Sequence, residues 1–239
     1  VTFHNPALVF VTFLKEVLAR HGIAVAGTVR TANWLDRQAQ PIDCKALVEL
    51  GSGESLPVSE LAREVLKPSQ NLYADLLLDQ VGEQSRTAQT PPGETSEELG
   101  LAELKRFLVR VGIQRGQTLF EEGSGLGRDN LTTPNATVSL LRYMAHHRCA
   151  QVYLNALPIA GVDGTLKNRM KGTPAQGNLR AKTGSLEWAN SLSGQVTTAA
   201  GEHLLFSLML NRYYEARPSR GDLDTIAVLL ASLSGRSGQ

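Results

Sequence analysis

The sequence predicts an α+β fold on three observations: helical periodicity dominates the middle of the chain, three strand-like runs follow one another late, and an apolar helix closes the pattern. With 239 residues, 42% of them apolar, the chain can bury a core without disulfide or metal staples. Its 22 Gly and 10 Pro are ordinary, which excludes collagen-like and disordered classes. The 24 basic and 23 acidic residues leave a net charge of +1, so no global field draws nucleic acid or an anionic membrane. The longest apolar run, residues 7–14, is interrupted by Thr12 and ended by Lys15 and Glu16. It is too short for a transmembrane segment, and with no basic stretch before it, it does not read as a signal peptide.

The elements follow in order. Asn5 is a good N-cap, Pro6 suits a first helical turn, and Val9, Phe10, Phe13, Leu14, Val17 and Leu18 recur at helical spacing until Gly22, predicting an amphipathic helix. Residues 23–29, short and β-branched, and residues 46–50 are predicted strands. The turn-rich stretch Gly51, Ser52, Gly53, Glu54 and Ser55 divides the chain into residues 1–54 and 55–239. From Ser59, Leu61, Val65 and Leu66 share a helical face until Pro68, and a second helix spans residues 71–81. Ser69, Gln70 and Asn71 therefore fall in the tight link between two helices, where polar side chains can project into a cleft.

Residues 84–94, with Pro91, Pro92 and Gly93, read as a surface loop. Ser96 is predicted to cap a helix carrying Leu99, Leu101, Leu104, Phe107, Leu108 and Val111. Thr133 and Pro134 open another, with Val138, Leu140, Leu141 and Met144 on its apolar side. A Gly-rich, cationic connection after Pro158 runs through Lys171 and Gly177. It leads to strands at 179–186, 191–198 and 203–211, an antiparallel meander. The final helix, residues 223–233, is expected to cover one sheet face.

The chemistry is narrowed first by exclusion. No CxxC, HExxH or paired-His spacing occurs, and the adjacent His146 and His147 point to different faces of a helix, so no metal or cofactor is expected. Cys44 and Cys149 read as two thiols, with a disulfide in an exported protein as the alternative. Every serine lacks one glycine of a GxSxG nucleophile elbow, and neither GxGxxG nor a Walker A loop is present. What remains is Ser69-Gln70-Asn71 together with Lys182-Thr183-Gly184-Ser185, the second and third motifs of serine acyl-transferases that react with β-lactams. For this composition a Ser-x-Asn arises by chance about 0.7 times and a Lys-Thr-Gly about 0.05 times, so the latter is informative alone. The bland alternatives are helix capping for Ser69 and Asn71, a solvated strand residue for Lys182, and a turn residue for Ser124. His146, His147 and His203 read as surface or packing residues, and Tyr73 and Trp188 as core or cleft wall.

Longer segments extend the match: residues 67–74 around Ser69, Gly123-Ser124-Gly125-Leu126 with Arg128, Asn130 and Pro134, residues 157–166, residues 180–186, and residues 191–194. Over most of its length the chain resembles the penicillin-binding D-alanyl-D-alanine carboxypeptidases and endopeptidases of peptidase family S13. Glu122 and Gly127 depart from the pattern, since the family more often carries Asp and Ser there. The resemblance implies a helical region plus an antiparallel sheet of the serine β-lactamase/DD-peptidase type, with residues 1–54 the remnant of an inserted accessory domain. It also implies an enzyme acting outside the cytoplasm on peptidoglycan stem peptides, inhibited covalently by β-lactams and needing no cofactor.

The family's Ser-x-x-Lys motif, which carries the nucleophile, is absent: no lysine has a serine three residues before it, and the Thr12/Lys15 pair is incidental. The chain thus resembles the C-terminal part of such an enzyme, with the motif upstream of Val1 or lost in a truncated relative. By resemblance, Ser69 relays the proton, Asn71 orients the substrate amide and Lys182 supplies positive potential. Thr183 binds the terminal carboxylate, and Gly184 and Ser185 continue the substrate-binding strand, with the Ser185 N–H as an oxyanion donor. An esterase or β-lactam hydrolase on the same scaffold, or a non-catalytic peptidoglycan-binding fragment, are the alternatives.

Overall fold

A computed structural model describes residues 3–49, 52–212 and 219–236. They form two compact units, Val1–Gly53 with Pro91–Gly93, and Glu54–Thr90 with Glu94–Gln239.

In the first unit, α1 (Pro6–Arg20) begins as its sequence predicts, with Asn5 Oδ1 accepting from the Leu8 N–H at 2.9 Å and Pro6 in the first turn. Its apolar stripe is largely uncovered: Val9 and Leu18 are partly buried, whereas Phe10, Phe13, Leu14 and Val17 are exposed. The expected strand at residues 23–29 is absent, and so is one over residues 46–49, Leu50 lying outside the described residues. Residues 23–29 have no regular structure, and Cys44–Ala46 is a 3-10 turn. A β-branched run expresses its preference only against a partner strand, and the described part of this unit offers none. The element that does form, α2 (Trp34–Ala39), carries an Asn33–Asp36 capping box.

The second unit holds the remaining elements. α3 (Val58–Leu66) buries its Leu61, Val65 and Leu66 side in part, as its periodicity predicts. α4 (Asn71–Ser85) starts where expected and runs four residues further. It continues through Gly82 because α5 (Ser96–Val111) crosses there: a Cβ on Gly82 would sit 1.9 Å from the Ser96 carbonyl oxygen, and one on Gly100 2.4 Å from that of Leu78. The cap of α5 is Thr95, not Ser96; Thr95 and Glu98 form a reciprocal capping box, while Ser96 Oγ donates to Glu83. A two-stranded ribbon, β1 (Thr118–Leu119) with β2 (Leu131–Thr132), then leads to α6 (Pro134–Ala145), capped by Thr133. α7 (Ala150–Ala156) follows; neither it nor the ribbon is predicted from sequence. Cys149, just before α7, is an exposed free thiol, and the Cys44 side chain lies outside what is described.

The late meander forms as predicted. β3 (Arg180–Leu186), β4 (Ala189–Thr197) and β5 (His203–Asn211) pair antiparallel in that order, with Lys182 opposite Ser193 and Ser193 opposite Ser207. Alternate β4 residues Asn190, Leu192, Gly194 and Val196 are buried. The final helix, α8 (Ser219–Ser232), places Leu223, Ala227 and Ala231 in one core with Leu192, Val196 and Phe206, so it covers one sheet face. The Gly-rich connection contributes Ala160, Leu166, Met170, Ala175 and Leu179 to the same core and leaves β3 as a sheet edge. Among the described residues, no helix is long and apolar enough to cross a membrane.

Candidate active site

The turn between α3 and α4 is a C-terminal cap. The Gln70 N–H bonds back to the Val65 carbonyl at 3.0 Å, and Ser69 takes the left-handed conformation, φ 64°. Glycine is the usual occupant of that position, because a side chain there costs conformational energy. Asn71 is the first residue of α4 and partly buried; its amide bonds to neither Ser69 nor Lys182. Gln70 turns back on the helix, accepting from the Leu72 N–H.

Lys182 reaches the turn from β3. Its Nζ donates to Ser69 Oγ at 2.7 Å and to the carbonyl of Thr183 at 2.6 Å, joining residues 113 positions apart. Burial lowers its pKa from the ordinary lysine value, and among the described residues no carboxylate lies within ion-pair distance of it. Ser69 and Lys182 thus form one polar contact between the helical turn and the sheet edge.

The rest of the Lys-Thr-Gly-Ser stretch follows the pleat. The Ala181 N–H points away from β4, because it donates to the carbonyl of Pro158 at 3.0 Å. The β3–β4 register runs without a bulge, so alternation turns the Thr183 and Ser185 N–H groups toward the same side. The backbone pairing of residues 158–160 with this edge runs to Arg180 and Ala181, before Thr183 and Ser185. Thr183 Oγ1 donates to Thr165 Oγ1 at 2.8 Å, and Ser185 Oγ to the buried Asn190 at 2.8 Å. A Cβ on Gly184 would come within 2.5 Å of Ser191 Oγ, so the Ser191 hydroxyl would have to turn away to admit one.

The Ser124 hydroxyl is occupied within its own loop. Glu122 accepts from the Ser124 N–H at 2.6 Å, from the Ser124 hydroxyl, from the Gly127 N–H at 3.2 Å and from the Asn130 amide. Burial pushes this carboxyl up, but the bonds from Ser124, Gly127 and Gly125 outweigh it and hold the pKa down at about 2. Neighbouring Asp75, which accepts from the Gly123 N–H at 3.1 Å, is shifted upward by burial and by the charge of Glu122. Arg128 reaches exposed Glu187 at 3.3 Å, and Trp188 stands half exposed in the β3–β4 turn, not in a core. His147 packs against Tyr143, and His203 is a surface residue bonded to Thr197.

Three contributors were missed in the motifs: Lys67, Asp163 and Thr165. Lys67 Nζ lies 2.5 Å from Asp163 and donates to the Leu157 carbonyl at 2.9 Å, while the Thr165 N–H bonds to the Lys67 carbonyl at 3.0 Å. The available signal was their position inside the two longest resembling segments.

Comparison with known proteins bears on the family and the fold. The chain is 32% identical over 243 residues to the D-alanyl-D-alanine carboxypeptidase of an Actinomadura species, covering 98% of this chain and 42% of that relative. It is 35% identical over 173 residues to the D-alanyl-D-alanine carboxypeptidase DacB of Haemophilus influenzae, covering 72% and 34%. Penicillin binding protein 4 of H. influenzae, solved with a novel β-lactam, superposes with a TM-score of 0.74 at 28% identity over 96% of this chain and 51% of that one. The extended-spectrum β-lactamase TLA-1, at a TM-score of 0.51 and 18% identity over 91% and 76%, shares the fold. The chain spans less than half the length of the curated relatives it matches. The profile of the D-Ala-D-Ala carboxypeptidase 3 (S13) family matches residues 1–233, and the chain belongs to that family.

Proposed function

We propose that this chain supplies the second and third catalytic arms of a serine-type D-Ala-D-Ala carboxypeptidase or endopeptidase that cleaves peptidoglycan stem peptides outside the cytoplasm. The observation that carries this is the 2.7 Å contact between Lys182 Nζ and Ser69 Oγ. A serine hydroxyl held by an uncompensated, desolvated ammonium is suited to pass a proton, because the cation lowers the cost of a transient alkoxide. The proton lost by the attacking nucleophile would travel through Ser69 to the amine of the departing D-Ala. Thr183 would hold the terminal carboxylate, Asn71 the substrate amide, and the outward N–H of Ser185 the developing oxyanion along the Gly184 edge. Residues 1–54 would belong to an accessory domain inserted before this half of the site.

Since residues 1–239 contain no Ser-x-x-Lys, the nucleophile of this reaction has to come from outside them. The test is to express the complete gene product and treat it with a fluorescent penicillin. Covalent labelling is expected, slowed roughly 10²–10⁴-fold by Lys182→Met or Ser69→Ala. A complete product that takes no label overturns the enzyme and leaves a peptidoglycan-binding protein. Comparing turnover of a D-Ala-D-Ala peptide with that of an activated ester separates peptidase from esterase.

A further inference from the structure

We propose that the Lys67–Asp163 ion pair is a positioning device that sets the Ser69 turn against β3. It rests on the peptidase assignment above. Lys67 lies two residues before Ser69 and is held at both ends. Its ammonium bridges Asp163 at 2.5 Å and the Leu157 carbonyl at 2.9 Å, with side chains 17% and 34% exposed. Its carbonyl accepts from the Thr165 N–H at 3.0 Å. The second Asp163 oxygen takes the Ile159 N–H at 2.8 Å, and Thr165 Oγ1 takes the Thr183 hydroxyl at 2.8 Å. One short segment, residues 157–166, therefore grips the turn that carries Ser69, caps the covered end of β3 through the Pro158 carbonyl, and bonds the side chain of Thr183.

A second observation points the same way. Gly164 has φ 55°, and a Cβ on it would come within 2.7 Å of the Lys67 carbonyl oxygen, so the approach of the two segments is close enough to exclude any side chain. A partly buried ion pair adds little net stability, because desolvation offsets most of its attraction, but it specifies one arrangement. Here that arrangement determines how far Ser69 Oγ lies from Lys182 Nζ. Proton relay is steeply sensitive to such distances, a displacement of about 1 Å costing on the order of 10²-fold in rate. Lys67 and Asp163 are positioning residues: neither is bonded to Ser69 Oγ or Lys182 Nζ.

The experiment is the second-order acylation rate of the complete gene product by a chromogenic β-lactam. Lys67→Met and Asp163→Asn are expected to slow acylation roughly 10- to 100-fold with wild-type circular dichroism at the assay temperature, and with melting temperatures lowered because one partner of the pair is left uncompensated. Lys67→Arg, which keeps the charge and the donors, is expected to recover most of the rate. In a Ser69→Ala background, Lys67→Met should add almost no further loss, because the pair acts through Ser69; a merely structural role would add its loss independently. Should Lys67→Met unfold the protein, Asp163→Asn, which keeps side-chain shape and the Leu157 bond, carries the same expectation. Wild-type rates in both variants, or a full additional loss in the Ser69→Ala background, overturn the proposal. If Lys182→Met also leaves acylation unchanged, it is the peptidase assignment that fails; if Lys182→Met abolishes acylation while the Lys67 and Asp163 variants do not, only the positioning role fails.

Discussion

Ser69 occupies a backbone position where glycine would be more comfortable, and that mismatch can be measured. In the left-handed region a Cβ costs about 1 kcal/mol relative to glycine. Ser69→Gly and Ser69→Ala both delete the hydroxyl and its bond from Lys182, so they differ only in that Cβ. Ser69→Gly is therefore expected to be about 1 kcal/mol more stable than Ser69→Ala in urea denaturation, although both slow acylation. Equal midpoints would mean that the turn relaxes and stores no strain. A serine kept at such a position despite its cost is explained by the hydroxyl it delivers to Lys182, as is common where activity and stability compete.

The loop of residues 122–130 shows the same economy at the scale of an element. The resemblance makes Glu122 and Gly127 departures from residues that are more often Asp and Ser, and in the structure the two are neighbours, with the Gly127 N–H bonded to Glu122 at 3.2 Å. A Cβ on Gly127 would lie 3.0 Å from the Asn130 amide, which would have to shift, and 3.6 Å from Glu122 Cγ, an ordinary contact. The tight neighbour is the Asn130 amide, one of the donors that Glu122 binds. Gly127→Ser alone is expected to destabilise the protein, and Glu122→Asp alone to lose loop hydrogen bonds. The double substitution should recover part of both losses, a coupling of roughly 0.5–3 kcal/mol in a double-mutant cycle. Strict additivity would show that the substitutions are independent.

Across the whole molecule, what the sequence made legible is what repeats or pairs locally. The periodicity of Leu61, Val65 and Leu66, the caps at Asn5 and Thr133, and the alternation of β4 are local patterns, and each forms as expected. Ser69 and Lys182 were legible as motif members, but their contact depends on chain reversals no local pattern encodes. The segment at 23–29 misled because β-branched residues signal a strand whether or not a partner exists, and Lys67–Asp163 escaped because two charges 96 positions apart have no spacing rule.

The titrating groups add up to one further expectation for the molecule, its stability against pH. Glu122 has a folded pKa depressed from 4.5 to about 2, so its stabilisation is present above 4.5 and lost as pH falls through that interval. After solvent screening this is on the order of 1 kcal/mol. Asp75, raised, works weakly in the opposite sense. Lys182 acts at the other end. Its folded pKa is depressed below 10.5, so between the two values the unfolded chain binds more protons than the folded one, and stability rises with pH there. Below that window the charged, desolvated ammonium is a standing cost. Lys182→Met is thus expected to be more stable than wild type at neutral pH and to lose the alkaline rise, while Glu122→Gln loses the acid limb. Urea midpoints from pH 2 to 11 measure both. A wild-type curve that falls toward pH 10 by an amount Lys182→Met abolishes would mean that the folded protein holds the ammonium charged more firmly than water does, and a cation stabilised in that way could not lower the barrier to proton loss through Ser69 merely by being poorly solvated.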